Sequence, residues 1–480
     1  QSPIARPTFF FFFLSHTFDN DIDWNYTGHG MLWAYNLNYF DFLQQEEVTR
    51  QSGLTLIKDF ISFGSKHKIA FDPYPNALRI INWVKFFSKY EIKDQEILDS
   101  LWAQLKILED NPEYHLMGNH LLEDGFGLLI GAAFFKEEKL YKKAKKLVQK
   151  ELEEQILSDG GHFELAPMYH CTLLWRLLDV IHAMEHSTFK ADATFYHFLV
   201  AKAGSMLGWL QEMTFSNGDI PLVNDSAFGI APSPEALLGY GRALKIAPIP
   251  KGLSHSGYRK WKYGNTEILM DVGAIGPDYI PGHAHSDTLN FLIYQNGIPF
   301  LVDTGISTYE KNAQRNLERS TASHNVVQID DWDQSEVWGG FRVARRAKVK
   351  VLKDSPSEIV ASHNGFRRKG GSHERTFRIQ NDAFIIKDVV KKPEGAKARA
   401  YFHFHPDIQP NIKGDSVSTT LGNLHFEGAR SLQLKEYDYN DVFNGPRKAK
   451  RLVVVFENEL ESRVEFHKLE NTFTSRTLRP

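Results

Sequence analysis

One cysteine, Cys171, stands in 480 residues. That excludes an intrachain disulfide and any zinc site built on thiolates, and it leaves the compartment open. No run of 18 or more apolar residues occurs, so no segment reads as a membrane-spanning helix. The Phe9–Phe13 run with Leu14 is too short for that. The formal net charge is only −3, which gives no global sign of a nucleic-acid or membrane partner. An anionic partner would have to be met by a local basic patch. No repeat with a period of a few tens of residues is present. No lysine-led leader is visible, although the chain starts at Gln1, which leaves room for one removed upstream.

What is abundant is aromatic. The chain holds 35 Phe, 18 Tyr and 9 Trp. Ring faces stack on sugars, but large cores use the same residues, and core comes first for most of them. The length calls for two or three domains.

The first half reads as helices. Asn25–Leu43 is dense in aromatics with poor helical spacing, so an irregular lead-in is expected. Phe71–Phe87 carries two prolines and then a stripe of Leu78, Ile81, Trp83, Val84 and Phe87. Arg79 near that helix start could face a ligand carboxylate, or be an ordinary ion-paired arginine. Glu96–Leu108 and Lys139–Leu157 are amphipathic, and Leu173–Met184 and Ala191–Met213 are again helical. Asn119–Phe135 is apolar nearly all round and is expected to lie inside. Helices without strand patterns over this span suggest stacked antiparallel pairs. Asn119 opens a helix and by itself reads as an N-cap. Tyr169 also begins one, where the helix dipole would favour a phenolate. Alone it reads as a buried structural tyrosine.

After Pro248-Ile249-Pro250 the pattern changes to short apolar or alternating runs bounded by Gly, Asp, Asn and Lys, an antiparallel sheet signature. The domain boundary is placed at about 247/248. Arg342, Arg345, Arg346 and Lys348, then Arg367, Arg368, Lys369, His373 and Arg375, read first as a charge-guarded sheet edge. A polyanion-binding rim is the sharper alternative. Asn217-Gly218-Asp219 and Asn224-Asp225-Ser226 read as turns first and cleft lining second.

The most unusual stretch is Pro281–Asn325. His283 and His285 flank Ala284, Asn296-Gly297 marks a hairpin, Asp303 ends its second strand, and His324 closes a Ser/Thr-rich run. Two imidazoles, a carboxylate and a third imidazole suit a metal or an acid–base site. His285 and Asp303 are 18 residues apart and His324 lies 21 further on. In an ideal two-residue hairpin His285 would not face Asp303. The site closes only if the loop curls back or a strand is bulged. Spacing therefore permits a metal without demanding one.

GHAHSDTLNFLIYQNGIPFLVDTG followed by RSTASHNVVQIDDWDQSE resembles the signature region of the heparinase II/III family of polysaccharide lyases. IDWNYTGHGMLWAYNLNYFDFL, YPNALRIINW, GNHLLEDGFGLLIGAAFF and DGGHFELAPMYH add a resemblance to its heparinase III branch. The resemblance implies a multi-domain α and β chain. An N-terminal incomplete (α/α) toroid (1–247) would precede a C-terminal antiparallel β-sandwich (248–480), with the site in the cleft between them. It implies β-elimination at a uronic acid, with heparan sulfate or heparin as substrate. Alginate, a bacterial capsule glycan, or a non-catalytic glycan-binding role are the alternatives. By position, Asn119 with His120 would neutralise the substrate carboxylate. Tyr169 would be the acid and often the base, and His283 the other base. His285, Asp303 and His324 would hold one structural divalent metal, usually zinc. His162 and Glu164, in the loop before Tyr169, become candidates for substrate binding beside Arg79. Ala166 and Met168 replace the family's commoner Ser and Gly there, which touches only substrate positioning. The expected partner is an anionic polysaccharide, with neither nucleic acid nor membrane. The expected state is a monomer or homodimer, and the expected location periplasmic or secreted, the cytoplasm remaining open. A rival reading, a glycoside hydrolase, would need paired carboxylates. Glu123-Asp124 and Asp159 are the candidates, but helix neighbours point to different faces.

Overall fold

A computed structural model describes residues 7–19, 21–187 and 192–467. A short hairpin comes first, β1 (Thr8–Phe11) and β2 (Leu14–Thr17), turned by Phe12 and Phe13 at positive φ. Among the described residues nine α-helices follow: α1 (Met31–Tyr39), α2 (Arg50–Phe63), α3 (Pro73–Tyr90), α4 (Gln95–Asp110), α5 (Gly118–Phe135), α6 (Glu138–Gln155), α7 (Pro167–His186), α8 (Ala193–Met213) and α9 (Pro234–Ala243). Among the described residues no helix is long and apolar enough to cross a membrane. Ala191, the expected start of α8, lies outside the described residues.

α5 is the inner helix that its all-round apolarity predicts. Fifteen of its residues, Gly118–Ala133 except His120, are buried, and it packs on α3, α4, α6 and α7. Its glycines permit that closeness, since a Cβ at Gly127 would sit 3.0 Å from the Ala77 backbone. Two helices depart from expectation. Asn25–Leu43 is not irregular throughout, because α1 forms in it with Trp33, Ala34, Leu37, Asn38 and Tyr39 buried. Its burial is distributed around the helix, so no clean stripe marks it. α2 was not expected at all. It starts on a reciprocal cap between Thr49 and Ser52, a weaker relative of the usual Ser/Thr–Glu pair.

The strands of the second half begin at Tyr258. β3 (Tyr258–Tyr263), β4 (Thr266–Asp271), β5 (Phe291–Gln295) and β6 (Ile298–Leu301) form a four-stranded antiparallel sheet in that order. A larger sheet is built from β7 (Val327–Ile329), β10 (Val349–Ser355), β11 (Glu358–His363), β12 (Ser372–Gln380), β13 (Ala383–Lys391), β14 (Ala398–His403), β15 (Asn411–Lys413), β16 (Ser416–Ser418), β17 (Gly422–Tyr439) and β18 (Arg447–Phe466). Between them stand the helix α10 (Ala313–Glu318) and the two-stranded ribbon β8 (Glu336–Trp338) and β9 (Arg342–Ala344). The helical first half and antiparallel second half agree with expectation. The long β17–β18 hairpin does not. Only Leu452–Phe456 and Val464–His467 read as strands there, because β17 is polar on one face and its alternation of Leu424, Phe426, Leu432 and Leu434 is sparse.

The core follows the same division. Ile268, Met270, Phe291, Ile293 and Phe300 of the small sheet share one apolar cluster with Ile359, Phe377, Phe384, Phe402, Leu452 and Val454 of the large one. The helices have their own cluster, which Val302, Ile306, Tyr437, Tyr439 and Phe443 enter from the strand half. That penetration ties the two halves and places the end of β6 against the helices.

Candidate active site

Three loops converge where the halves meet. The first is 158–166, leading into α7. Pro167 occupies the first helical position, where its missing N–H costs nothing, so Tyr169 falls in the first turn. The second is 224–226, and the third is 272–290, which carries His283 and His285.

Tyr169 stacks on His283, with ring centroids 3.9 Å apart and 30° between planes. Its hydroxyl donates to the Tyr309 hydroxyl at 3.0 Å. The expectation of a dipole-favoured phenolate is corrected. Burial pushes the Tyr169 phenol well above its ordinary value, and the charges of Tyr309, Asp225 and Glu164 add to it. Removal from water outweighs the partial charge of one helix end.

His283 is held by Asp225, whose Oδ2 lies 2.8 Å from Nδ1. That leaves Nε2 turned toward Glu164, with Oε2 3.8 Å away. Asp225 also takes His285 Nε2 on Oδ1 at 2.9 Å and both Nη atoms of Arg315 at 2.5 Å. Burial alone would raise this carboxyl. The Arg315 charge and the hydrogen bonds from His283, His285 and Arg315 outweigh it and hold Asp225 well below the carboxylate range. Asn224 supports the same loops, accepting from the His285 N–H and donating to the Leu165 carbonyl at 3.0 Å.

Asn119 is the second residue of α5 and not its cap, which is Met117. Its backbone N–H bonds to Glu164. Gly118, at φ +57°, leaves room for that carboxylate, because a Cβ there would lie 2.9 Å from Glu164 Oε1. Glu164 therefore joins the Asn119 end of α5 to His283, and burial raises its pKa. His120 bonds Glu113 at 2.9 Å and packs on the Tyr74 ring at 4.5 Å.

Two expected substrate contacts are corrected. Arg79 is fully buried, with its guanidinium spent on Gln104, Asn76 and the carbonyls of Asn38 and Ala70. Four of its five N–H donors are used in this way, and full burial keeps the group from a ligand. His162 is also enclosed, bonded through Nε2 to Gln155 at 3.1 Å, and burial holds its pKa well below the usual histidine range. Of the basic run, His373 and Arg375 are not on a rim either. They lie buried around Asp388.

His285, Asp303 and His324 come together, each offering a ligand atom within 4.8 Å of the others. The hairpin forms at Asn296-Gly297, both at positive φ, with a bulge between Ile293 and Tyr294, and the His285 loop curls back. Both devices that the spacing required are present. The donor set fits a divalent metal on three counts. His285 gives its Nε2 side to Asp225, and its Nδ1 is buried without a partner. Burial lowers His285 to about 4, so it is neutral and its free lone pair suits a cation. His324 holds Asp303 at 2.8 Å through Nδ1, and its Nε2 is likewise buried and unpartnered. Asp271 and Asp287 lie buried nearby. Burial raises Asp271 well above its ordinary value and Asp287 to about 6, a surplus of carboxylate that a cation would neutralise.

The sequence did not single out Tyr309 or Arg315, and left Asp225 as a turn residue. Asp225 was detectable only as an acid in an Asn-Asp-Ser turn, a common pattern. Tyr309 and Arg315 carry no local motif. The hydrolase candidates do not form a pair. Glu123 and Asp124 are buried within α5 and raised to about 8 by burial, and Asp159 accepts from the Ser256 and Gly161 N–H groups.

Comparison with known proteins agrees with this architecture. Residues 79–233 match the family model "Heparinase II/III N-terminus" and residues 246–467 match "Heparinase II/III-like, C-terminal". A heparin-sulfate lyase of Bacteroides stercoris is 24% identical over 354 residues, covering 67% of this chain and 50% of that protein. An alginate lyase of Stenotrophomonas maltophilia is 24% identical over 178 residues, covering 34% of this chain and 23% of that one. This chain thus spans half or less of the length of these relatives. A crystal structure of heparinase III superposes with a TM-score of 0.73 at 16% identity, covering 93% of this chain and 80% of that one, a likeness of fold. With both of its family regions matched in order along one chain, this protein belongs to the heparinase II/III family.

Proposed function

We propose that this protein is a polysaccharide lyase that cleaves a uronic-acid polymer by β-elimination. The observation that carries the reading is the Tyr169–His283 stack, with one ring from the helices and one from the strand half. A cleft residue pair able to move two protons is what this chemistry needs.

The C5 proton of a uronate is weakly acidic because it lies α to a carboxylate. Asn119, with His120 beside it, would hydrogen-bond that carboxylate and stabilise the charge that develops on it. His283, anchored through Nδ1 to Asp225, presents Nε2 as a base for the C5 proton. The Tyr169 phenol, kept protonated by its surroundings, is suited to give its proton to the glycosidic oxygen as the C4–O bond breaks. The electron pair of the C5–H bond becomes the C4–C5 double bond, and no water is consumed. Tyr309, hydrogen-bonded to Tyr169, holds that hydroxyl in place. Glu164 would help to orient His283 and the substrate.

His285, Asp303 and His324 would hold one divalent metal, in the first instance zinc, which supplies a fixed charge that ties the loops of the strand half together. The helices are taken to close an incomplete (α/α) toroid over 1–247 and the sheets to stack as a sandwich over 248–480.

Heparan sulfate or heparin is the proposed substrate, from the name of the Bacteroides relative. Alginate is the second reading, from that of the Stenotrophomonas relative. The test is incubation with heparan sulfate, heparin, alginate and capsule glycans, followed by the ultraviolet absorbance of the 4,5-unsaturated uronate. Its appearance on one polymer identifies the substrate. New reducing ends without that absorbance would establish hydrolysis instead, and neither signal on any polymer would overturn the catalytic reading.

A further inference from the structure

The outward face of the large sheet carries a cationic cavity separate from the loops described above. Along β14 the residues Ala398, Ala400 and Phe402 enter the apolar core, so Arg399 and Tyr401 point the other way. Along β18 Leu452 and Val454 go inward, and Arg451 and Val453 outward. Gln328 of β7 and Lys435 of β17 fall on that same outer face. With Ala322 and Asp331 these residues enclose about 320 Å³.

The charges in this cavity do not balance. Three cations line it, Arg399, Lys435 and Arg451, against one carboxylate, Asp331, which already pairs with Arg399 at 3.2 Å. Lys435 and Arg451 are direct cross-strand partners. Like charges in that position repel and cost stability. Arg451 is constrained further. Its Nη1 donates to the Ala322 carbonyl at 2.7 Å, and its Nε is buried with no partner. A buried donor left unsatisfied is costly.

We infer that the cavity bounded by Arg399, Tyr401, Lys435 and Arg451 binds an oxyanion of the sulfate class, free or carried on a sugar. Arg399 Nη1 already donates to the Asp330 carbonyl at 2.6 Å and to Asp331, and Arg451 Nη1 to the Ala322 carbonyl; the remaining guanidinium N–H donors with one ammonium suit an anion with several oxygens. The site does not depend on the lyase reading, because it uses none of the residues assigned to proton transfer or to the metal. Ala322 lies in the short helical turn Thr321–Ser323 that His324 closes, which links the cavity wall to that residue.

Thermal melts of the full chain in sodium sulfate and in sodium chloride at matched ionic strength test this. For the wild type, saturating sulfate should raise Tm by about 2 °C or more beyond chloride. Lys435→Glu, which turns the repulsive pair into an attractive one, should melt higher than wild type without sulfate and lose the sulfate increment. Lys435→Ala should lose most of it. An equal increment in wild type and both variants would be the general salting effect of sulfate and would overturn the site, as would no increment at all. Calorimetric titration then separates the sources. A sulfated disaccharide binding about tenfold more tightly than inorganic sulfate, with the gain lost in Lys435→Glu, makes the site a glycan subsite. Equal affinities make it a site for the free anion.

Discussion

Tyr169 of the helical half lies on His283 of the strand half, ring on ring at 3.9 Å. Tyr169→Phe keeps the ring and the stack and removes the hydroxyl, with its proton and its hydrogen bond to Tyr309. Turnover is therefore expected to fall at least about 10³-fold, the scale of a lost proton-transfer group, while Tm and circular dichroism stay at wild-type values. Activity within a few-fold of wild type would remove Tyr169 from the mechanism.

Asp225 joins the proposed base to the proposed metal ligand, with one oxygen toward His283 and the other toward His285. Asp225→Asn keeps the size and removes the charge that Arg315 requires. Metal affinity and activity should both drop, by roughly 10–100-fold, measured by metal retention on dialysis and by initial rate. A variant impaired in rate but fully metal-loaded would separate the two roles and contradict the coupling.

His324→Ala should release the metal, about one ion per chain by elemental analysis, and lower Tm by several degrees while changing substrate affinity little. The same loss of Tm should follow chelation of the wild type, because an ion held by His285, Asp303 and His324 would close loops from distant parts of the chain. An unchanged melting temperature in both experiments would deny the ion a structural role.

His170 is buried with both ring nitrogens engaged. Nε2 donates to the Met206 carbonyl at 3.0 Å, and Nδ1 accepts from the His162 N–H at 3.3 Å. Burial lowers its pKa to about 4. The unfolded chain takes up this proton near pH 6.5 and the folded chain only near pH 4, so the contribution is complete above about pH 6.5. It declines by about 3 kcal/mol as pH falls through that window. Urea midpoints for wild type and His170→Gln across the window measure it. The variant should show the shallower pH dependence, and parallel curves would refute the assignment.

The sequence by itself determined whatever rests on local pattern. The all-round apolarity of α5 specifies an inner helix, because a helix without a polar face must be buried. Asn296-Gly297 specifies a tight hairpin, because both positions need positive φ. The Ser/Thr-rich run and the paired histidines mark Pro281–Asn325 as chemically unusual. α1, α2 and β17 were not legible, since their stripes are weak and their packing partners are far along the chain.

Only the tertiary structure decided which polar groups face the cleft and which are spent inside. Arg79 and His162 look like binding residues in the text of the chain, yet their donors are consumed by Gln104, Asn76 and Gln155. Asp225 looks like a turn, yet it gathers His283, His285 and Arg315 from positions up to 90 residues away. A side chain's protonation and reach are set by the neighbours that folding supplies and by the water it removes, and neither is encoded in local spacing.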